Sequence, residues 1–356
     1  MWKYNQFQKV ELVSTQGRDF QKAVVIQVVE DNLQEDGSRT GQQKIMLRMK
    51  TGPLQGEMVE ATSTNGYLFG APCEVGMDVV VIESISGDIS IHSVYSADRE
   101  WAVYGFLAVF LLIVCLVGGR KGFLACAGLV FTGICIIYLY IPMIYRGNSP
   151  FAAAVLVAAL TTLVTMYLIG GWSKKTVSSV LGTVAGVVMA GVSAWAFGLA
   201  AGVGGYNVSN IESLMVLEDL VGIRVGELLF SGLLISSLGA VMDVAMSVSS
   251  AVFEIHEQNP ALSVAGLFRS GMRVGRDMMG TMVNTLILAF AGGAVSTLLL
   301  NYAYQLPYLQ IINSNNMDIE IMQGISGSIG VVLTVPFVSF VASVLAAGKK
   351  ETEPDV

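Results

Sequence analysis

Residues 228–252 read LLFSGLLISSLGAVMDVAMSVSSAV, a stretch long and apolar enough to cross a bilayer that nevertheless carries an aspartate, Asp243, in its interior. Ser236 and Gly239 precede it by seven and four residues, and Ser247, Ser250, Glu254 and Glu257 follow it by four, seven, eleven and fourteen. Those offsets fall on one stripe of an α-helix. An ionised carboxylate near the bilayer centre costs about 2.5 to 3.5 kcal/mol on insertion scales, so such residues usually face a bundle interior and often a proton or ion path.

Outward from this stretch the chain is 53% hydrophobic and 13% charged. Its apolar residues gather into six further runs, 101–118, 123–145, 151–171, 177–202, 280–300 and 325–347. With 228–252 these come close to the roughly 20 residues a spanning helix needs. The predicted fold is therefore an α-helical polytopic membrane bundle of seven transmembrane helices over residues 101–348. A small all-β domain precedes it at 1–100 and a short tail follows at 349–356. The excess of 27 acidic over 20 basic residues is modest and argues against a nucleic-acid partner. Cys115, Cys126 and Cys135 fall in the apolar runs and Cys73 stands alone before them, so neither a disulfide framework nor a zinc spacing is expected. His92 and His256 lack partners at ligand spacing, and no metal or other cofactor is expected.

The loops alternate in basic charge, which sets an orientation. Arg120, Lys121, Lys174, Lys175, Arg269, Arg273, Arg276, Lys349 and Lys350 sort to one side, read as cytoplasmic, and only Arg146 and Arg224 to the other. Residues 1–100 then lie outside the plasma membrane. A domain of that size needs a signal to cross, and residues 1–20 contain no apolar core of a signal peptide. Either an upstream hydrophobic segment is expected, or 101–118 acts as a reverse signal anchor.

In the outer domain, β-branched runs at 23–29, 44–49, 58–62, 79–82 and 89–94 alternate with turns at Asp36-Gly37, Gly52-Pro53, Gln55-Gly56 and Ser86-Gly87-Asp88. Five strands in so short a span suggest an antiparallel barrel or sandwich, OB-like in character. It carries no catalytic constellation and no basic patch interleaved with aromatics. Either a protein contact or a plain spacer suits it.

Three further features belong to the membrane part. Gly182, Gly186, Ala190, Gly191 and Ala194 let another helix approach the fourth span. The connection 206–227, with Glu212, Glu218, Asp219 and Glu227 beside Ile211, Leu214, Leu217 and Leu220, reads as an amphipathic interfacial or re-entrant helix. Asn259-Pro260 reads as the cap and first position of a cytoplasmic helix whose face holds Arg269, Arg273 and Arg276, available to lipid headgroups or to Glu254 and Asp277. Asp277, Thr281 and Asn284 then carry a polar face into the sixth span. If the polar faces of spans five and six meet, Asp243 lies buried against Thr281 and Asn284 and can exchange a proton near neutral pH, or else acts only as a packing clamp.

The segments LGAVMDVAMS (238–247), EIHEQNP (254–260) and LFRSGMRVGRDMMGTMVNT (267–285) closely resemble the YibE/F family of bacterial membrane proteins. GRKG at 119–122, RGNSP at 146–150 and TGPLQG at 51–56 extend the resemblance over most of the chain. It implies a multispan protein with an outer N-terminal domain behind a hydrophobic leader, and no specific chemistry. The mid-membrane aspartate, the amphipathic connector and the glycines at 271, 275 and 280 before Thr281 are also similar to the aspartate-bearing half of resistance-nodulation-division transporters and of SecD/SecF.

Two functions follow as expectations. In the first, a proton- or cation-coupled transporter uses Asp243 as its coupling carboxylate, with Ser247, Ser250, Thr281 and Asn284 along the path and Glu254, Asp277 and Arg273 at the cytoplasmic exit. In the second, a membrane scaffold or assembly factor binds a partner through its outer domain. The bilayer is one partner, and a second membrane subunit of the same family or an extracytoplasmic protein is another. An enzyme is not expected: Ser247, Ser249 and Ser250 have no histidine or lysine at comparable depth to activate them.

Overall fold

The computed structural model describes residues 17–64, 70–86, 89–208 and 210–348. The expected turn residues Gly87 and Asp88 and the tail basics Lys349 and Lys350 lie outside the described residues. The chain divides into two compact units that adjoin in sequence at Ile113 and Val114.

The first unit contains β1 (Arg18–Glu30), β2 (Gln42–Met49), β3 (Met58–Thr64), β4 (Asp78–Ser86) and β5 (Ile89–Ala97). They close into a barrel in the order β1-β2-β3-β5-β4, with β4 returning to β1. All neighbours are antiparallel except β3 and β5. The closed barrel replaces the alternative of a sandwich. Alternation sends Ala23, Val25, Ile45, Leu47, Met49, Val79 and Val81 inward, where they form the barrel core. Gln43 fastens the segment after β3 to β2, accepting from the Cys73 N–H at 2.8 Å and donating to the Cys73 carbonyl at 3.2 Å. Ser63 Oγ does the same for Ala71, donating to its carbonyl at 2.7 Å. Burial pushes the Cys73 thiol above its ordinary value.

Ten helices follow among the described residues: α1 (Glu100–Cys135), α2 (Ile141–Tyr145), α3 (Pro150–Gly170), α4 (Lys174–Ala201), α5 (Ile211–Val221), α6 (Val225–Gln258), α7 (Val264–Gly293), α8 (Val295–Ala303), α9 (Tyr308–Ile312) and α10 (Asn315–Ala347). Five stretches are long and apolar enough to cross a membrane: Glu100–Tyr145, Pro150–Gly170, Lys174–Ala201, Val225–Gln258 and Asn315–Ala347. The bent pair α7 and α8 makes a sixth.

The first of these stretches is not straight. Gly119 leaves the helical region at φ 53°, ψ −133°. A β-carbon at Gly122 would lie 2.2 Å from the Val114 carbonyl oxygen, although eight residues of uninterrupted helix separate atoms by about 12 Å. The Sγ atoms of Cys115 and Cys126 are likewise 3.9 Å apart. The helix therefore doubles back at Gly119 into two legs. The second leg passes through a π-helical turn (Ile136–Tyr140), and the Tyr140 hydroxyl meets Ser231 Oγ at 2.6 Å.

Within the second unit α10 packs on α4, α6 and α7, and α6 packs on α4 and α7, with α3 against α4 and α6. The small residues of α4 provide the close approach expected of them. A β-carbon at Gly186 would meet Thr334 Oγ1 at 1.8 Å, and one at Gly182 would meet Val338 Cβ at 2.8 Å. The amphipathic connection forms α5, whose Ile211, Leu214 and Leu217 pack against the core.

Two expected boundaries are corrected. Asn259 does not cap the helix that follows. Its N–H closes α6 on the Ile255 carbonyl, whereas Ser263 Oγ accepts from the Gly266 N–H and starts α7. The amphipathic connector and the sixth span are thus one helix. That span also does not run unbroken over 280–300, because α7 ends at Gly293 and α8 departs at 58°. The pair Gly292-Gly293 has low helical propensity and supplies a site for the bend.

Candidate functional site

α6 turns its apolar side inward. Leu233, Leu234, Val241, Val244, Ala245, Val248 and Val252 are fully buried. Because the polar residues occupy the opposite stripe, Ser236, Gly239, Asp243, Glu254 and Glu257 are exposed and Ser247 and Ser250 half-buried. The aspartate has no hydrogen-bond or ion-pair partner among the described residues. The Ser236 hydroxyl is turned back to the Leu233 carbonyl at 3.0 Å.

α7 behaves in the same way. It buries Leu267, Gly271, Gly275 and Leu286 and exposes Arg273, Arg276, Asp277, Thr281, Asn284 and Thr285. Gly271 lies under Val252 of α6, and Gly275 under Val335 of α10. Leu286 reaches Gly327 of α10, beside Ser237. α6 and α7 therefore meet through small and apolar side chains, and their polar faces remain open. This corrects the expected polar interface. Thr281 Oγ1 donates to the Met278 carbonyl at 2.8 Å and Thr285 Oγ1 to the Thr281 carbonyl at 2.9 Å, within α7 itself. No hydrogen bond links Asp243 to Thr281 or Asn284 among the described residues.

At the far end of α6, Glu254 accepts from Gln258 at 3.2 Å. Arg273 forms no ion pair with Glu254 or Asp277 among the described residues, so the expected exit residues are not joined by charge pairing. Ser249 belongs elsewhere. It is buried, meets Ser178 Oγ at 2.5 Å and donates to the Lys175 carbonyl at 3.1 Å, tying α6 to the start of α4.

One neighbour of the aspartate was not anticipated from the sequence. A cavity of about 300 Å³ lies between the second leg of α1, α3 and α6, and Gly239, one turn from Asp243, forms part of its wall. Thr132, Thr161 and Thr165 contribute hydroxyls to that wall. The Thr165 hydroxyl is buried without a hydrogen-bond partner. The rest of the wall is apolar, and Asp243 itself lies outside it. The sequence signal was weak, since threonines spaced along apolar helices more often bond their own backbone, as Thr161 does to the Val157 carbonyl at 2.8 Å. No group of three histidine, cysteine, aspartate or glutamate side chains suited to a metal occurs among the described residues.

A family model described as YibE/F-like protein matches residues 106–348. No curated protein and no solved structure matches the chain.

Proposed function

This chain belongs to the YibE/F-like protein family, a membership that agrees with its apolar helices, and on that footing we propose that it is a proton- or cation-coupled transporter with Asp243 as the coupling carboxylate. The observation that carries the reading is the position of Asp243, a carboxylate without a partner among the described residues on the open face of a helix long and apolar enough to cross a membrane. The ionised form is costly in lipid by about 2.5 to 3.5 kcal/mol. Protonation removes that cost, so proton uptake changes whether the face tolerates an apolar neighbour. Ser247 and Ser250 continue the face, and Thr281 and Asn284 extend it on α7. Glu254, Asp277 and Arg273 form its charged end.

In this account the two legs of α1 are separate spans, giving seven in a bacterial plasma membrane. The nine sorted basic residues support a topology with Arg120 and Arg273 inside and the barrel outside. The strand order, with its single parallel pair, supports an OB-like reading of that barrel. No step calls for an enzyme or a cofactor. A second membrane subunit covers the open face, and the outer barrel is free to bind an extracytoplasmic protein.

The same exposure favours one alternative, a scaffold whose aspartate only fastens that subunit. Charge displacement after a pH step, recorded from proteoliposomes on a solid-supported membrane, separates the two. A transporter shows a displacement that Asp243→Asn abolishes and Ser236→Ala keeps. Equal displacement in well-inserted wild type and Asp243→Asn contradicts the coupling role.

A further inference from the structure

The bend between α7 and α8 opens onto the first turns of α10. Two cavities, of about 320 and 340 Å³, meet there and share Ala294, Met317 and Glu320. Their chemistry differs. The first adds Thr297, Asn316 and Gln323, which bring a hydroxyl and two amides to one side of Glu320. The second adds Phe290, Leu298 and Ile325 on the other.

Glu320, Thr297, Asn316 and Gln323 form no side-chain hydrogen bond and no ion pair among the described residues, and Glu320 is half-buried. A carboxylate drawn partly out of water without a counter-charge is unfavourable, and its surroundings supply only neutral oxygen and amide groups. The cleft is therefore suited to a cation. A bare metal ion uses the oxygen-bearing lobe and leaves the Phe290 lobe unfilled. A ligand with a charged amine and an apolar body fills both, and an aromatic ring beside the charge adds to the attraction.

We propose that this cleft is a binding site for an amphipathic organic ammonium, its charged nitrogen on Glu320 and its apolar body along Phe290 and Leu298. Thr297, Asn316 and Gln323 accept its remaining N–H groups. The site does not depend on Asp243 being a coupling carboxylate.

Calorimetry on the full chain in lipid nanodiscs, with empty nanodiscs as the reference, tests it using 4-phenylbutylammonium as the probe. Saturable binding is expected, weakened about tenfold or more by Glu320→Gln, since a charge-assisted hydrogen bond is lost. Phe290→Ala should weaken it about threefold or more by removing apolar contact. The neutral analogue 4-phenylbutanol should bind far more weakly, and sodium should not compete. Gln323→Leu provides a second polar variant if Glu320→Gln does not fold, and it should also weaken the probe. Asp243→Asn should bind normally, which keeps this proposal separable from the transport reading. Three results overturn it: no saturable binding, equal affinity for the alcohol with no effect of Glu320→Gln or Gln323→Leu, or displacement by sodium, which marks an inorganic cation site.

Discussion

Asp31 and Asp243 carry the same side chain into opposite surroundings. Asp31 Oδ1 accepts from Gln43 Nε2 at 2.9 Å, from the Asn32 N–H at 2.8 Å and from Arg39 at 2.7 Å. The Gln43 hydrogen bond, with these others, holds its carboxyl below the ordinary value of 3.8. A depressed folded value means that the contribution to stability is present above 3.8 and is lost as pH falls below it towards the folded value. Gln43 also grips Cys73, so the loss should free that buried thiol. In a chain with Cys73 as its sole cysteine, modification by dithiodipyridine, which proceeds in acid, should quicken as pH falls below 3.8. Asp31→Asn should be faster at neutral pH and flatter with pH. Identical profiles for the two proteins would remove Asp31 from the clasp. Asp243 has no comparable donors, so Asp243→Glu should retain a response to pH that Asp243→Asn loses, as read by charge displacement.

At the scale of elements the decisive feature is the reversal at Gly119. The 3.9 Å between Cys115 and Cys126 Sγ predicts that a short thiol cross-linker joins them within one chain. Mass spectrometry would detect the linked peptide. A straight helix would place them about 16 Å apart and prevent the link. The packing of α4 on α10 makes a second prediction. Gly186→Ala puts a methyl 1.8 Å from Thr334 Oγ1, and overpacking of this kind costs about 1 to 3 kcal/mol. Thermal unfolding in detergent should show the loss, whereas Gly232→Ala, which meets nothing within 4 Å, should not.

The elements differ in how far the sequence revealed them. The barrel strands were legible because Ile45, Leu47 and Met49 alternate with outward residues, a period that few other structures share. The start of α7 was not, since Asn259-Pro260 imitates a cap and only the hydrogen bond from the Gly266 N–H identifies Ser263. The polar stripe of α6 was equally plain in the sequence, but its direction was not. Periodicity identifies a face without saying which neighbour it meets, and here α10 and α4 take the apolar side.

For the whole molecule, the account requires the Gly119 reversal to be a membrane re-crossing, because that sets the side on which the barrel lies. A cysteine placed at Glu35 should react with an impermeant reagent in intact cells, and one at Arg273 only after permeabilisation. The opposite pattern would invert the topology. The composition made a multispan protein legible, and basic residues in alternate loops set an expected orientation. The cavity beside Gly239 was beyond reach, as it depends on three elements packing side by side.

The central claim is that Asp243 gains and loses a proton within the membrane. Infrared difference spectroscopy of wild type against Asp243→Asn in lipid tests it most directly. The account predicts a protonated-carboxyl band that grows as pH is lowered, shifts promptly in heavy water and is missing from Asp243→Asn. Difference spectra without any such band over the pH range in which the protein stays folded would contradict it.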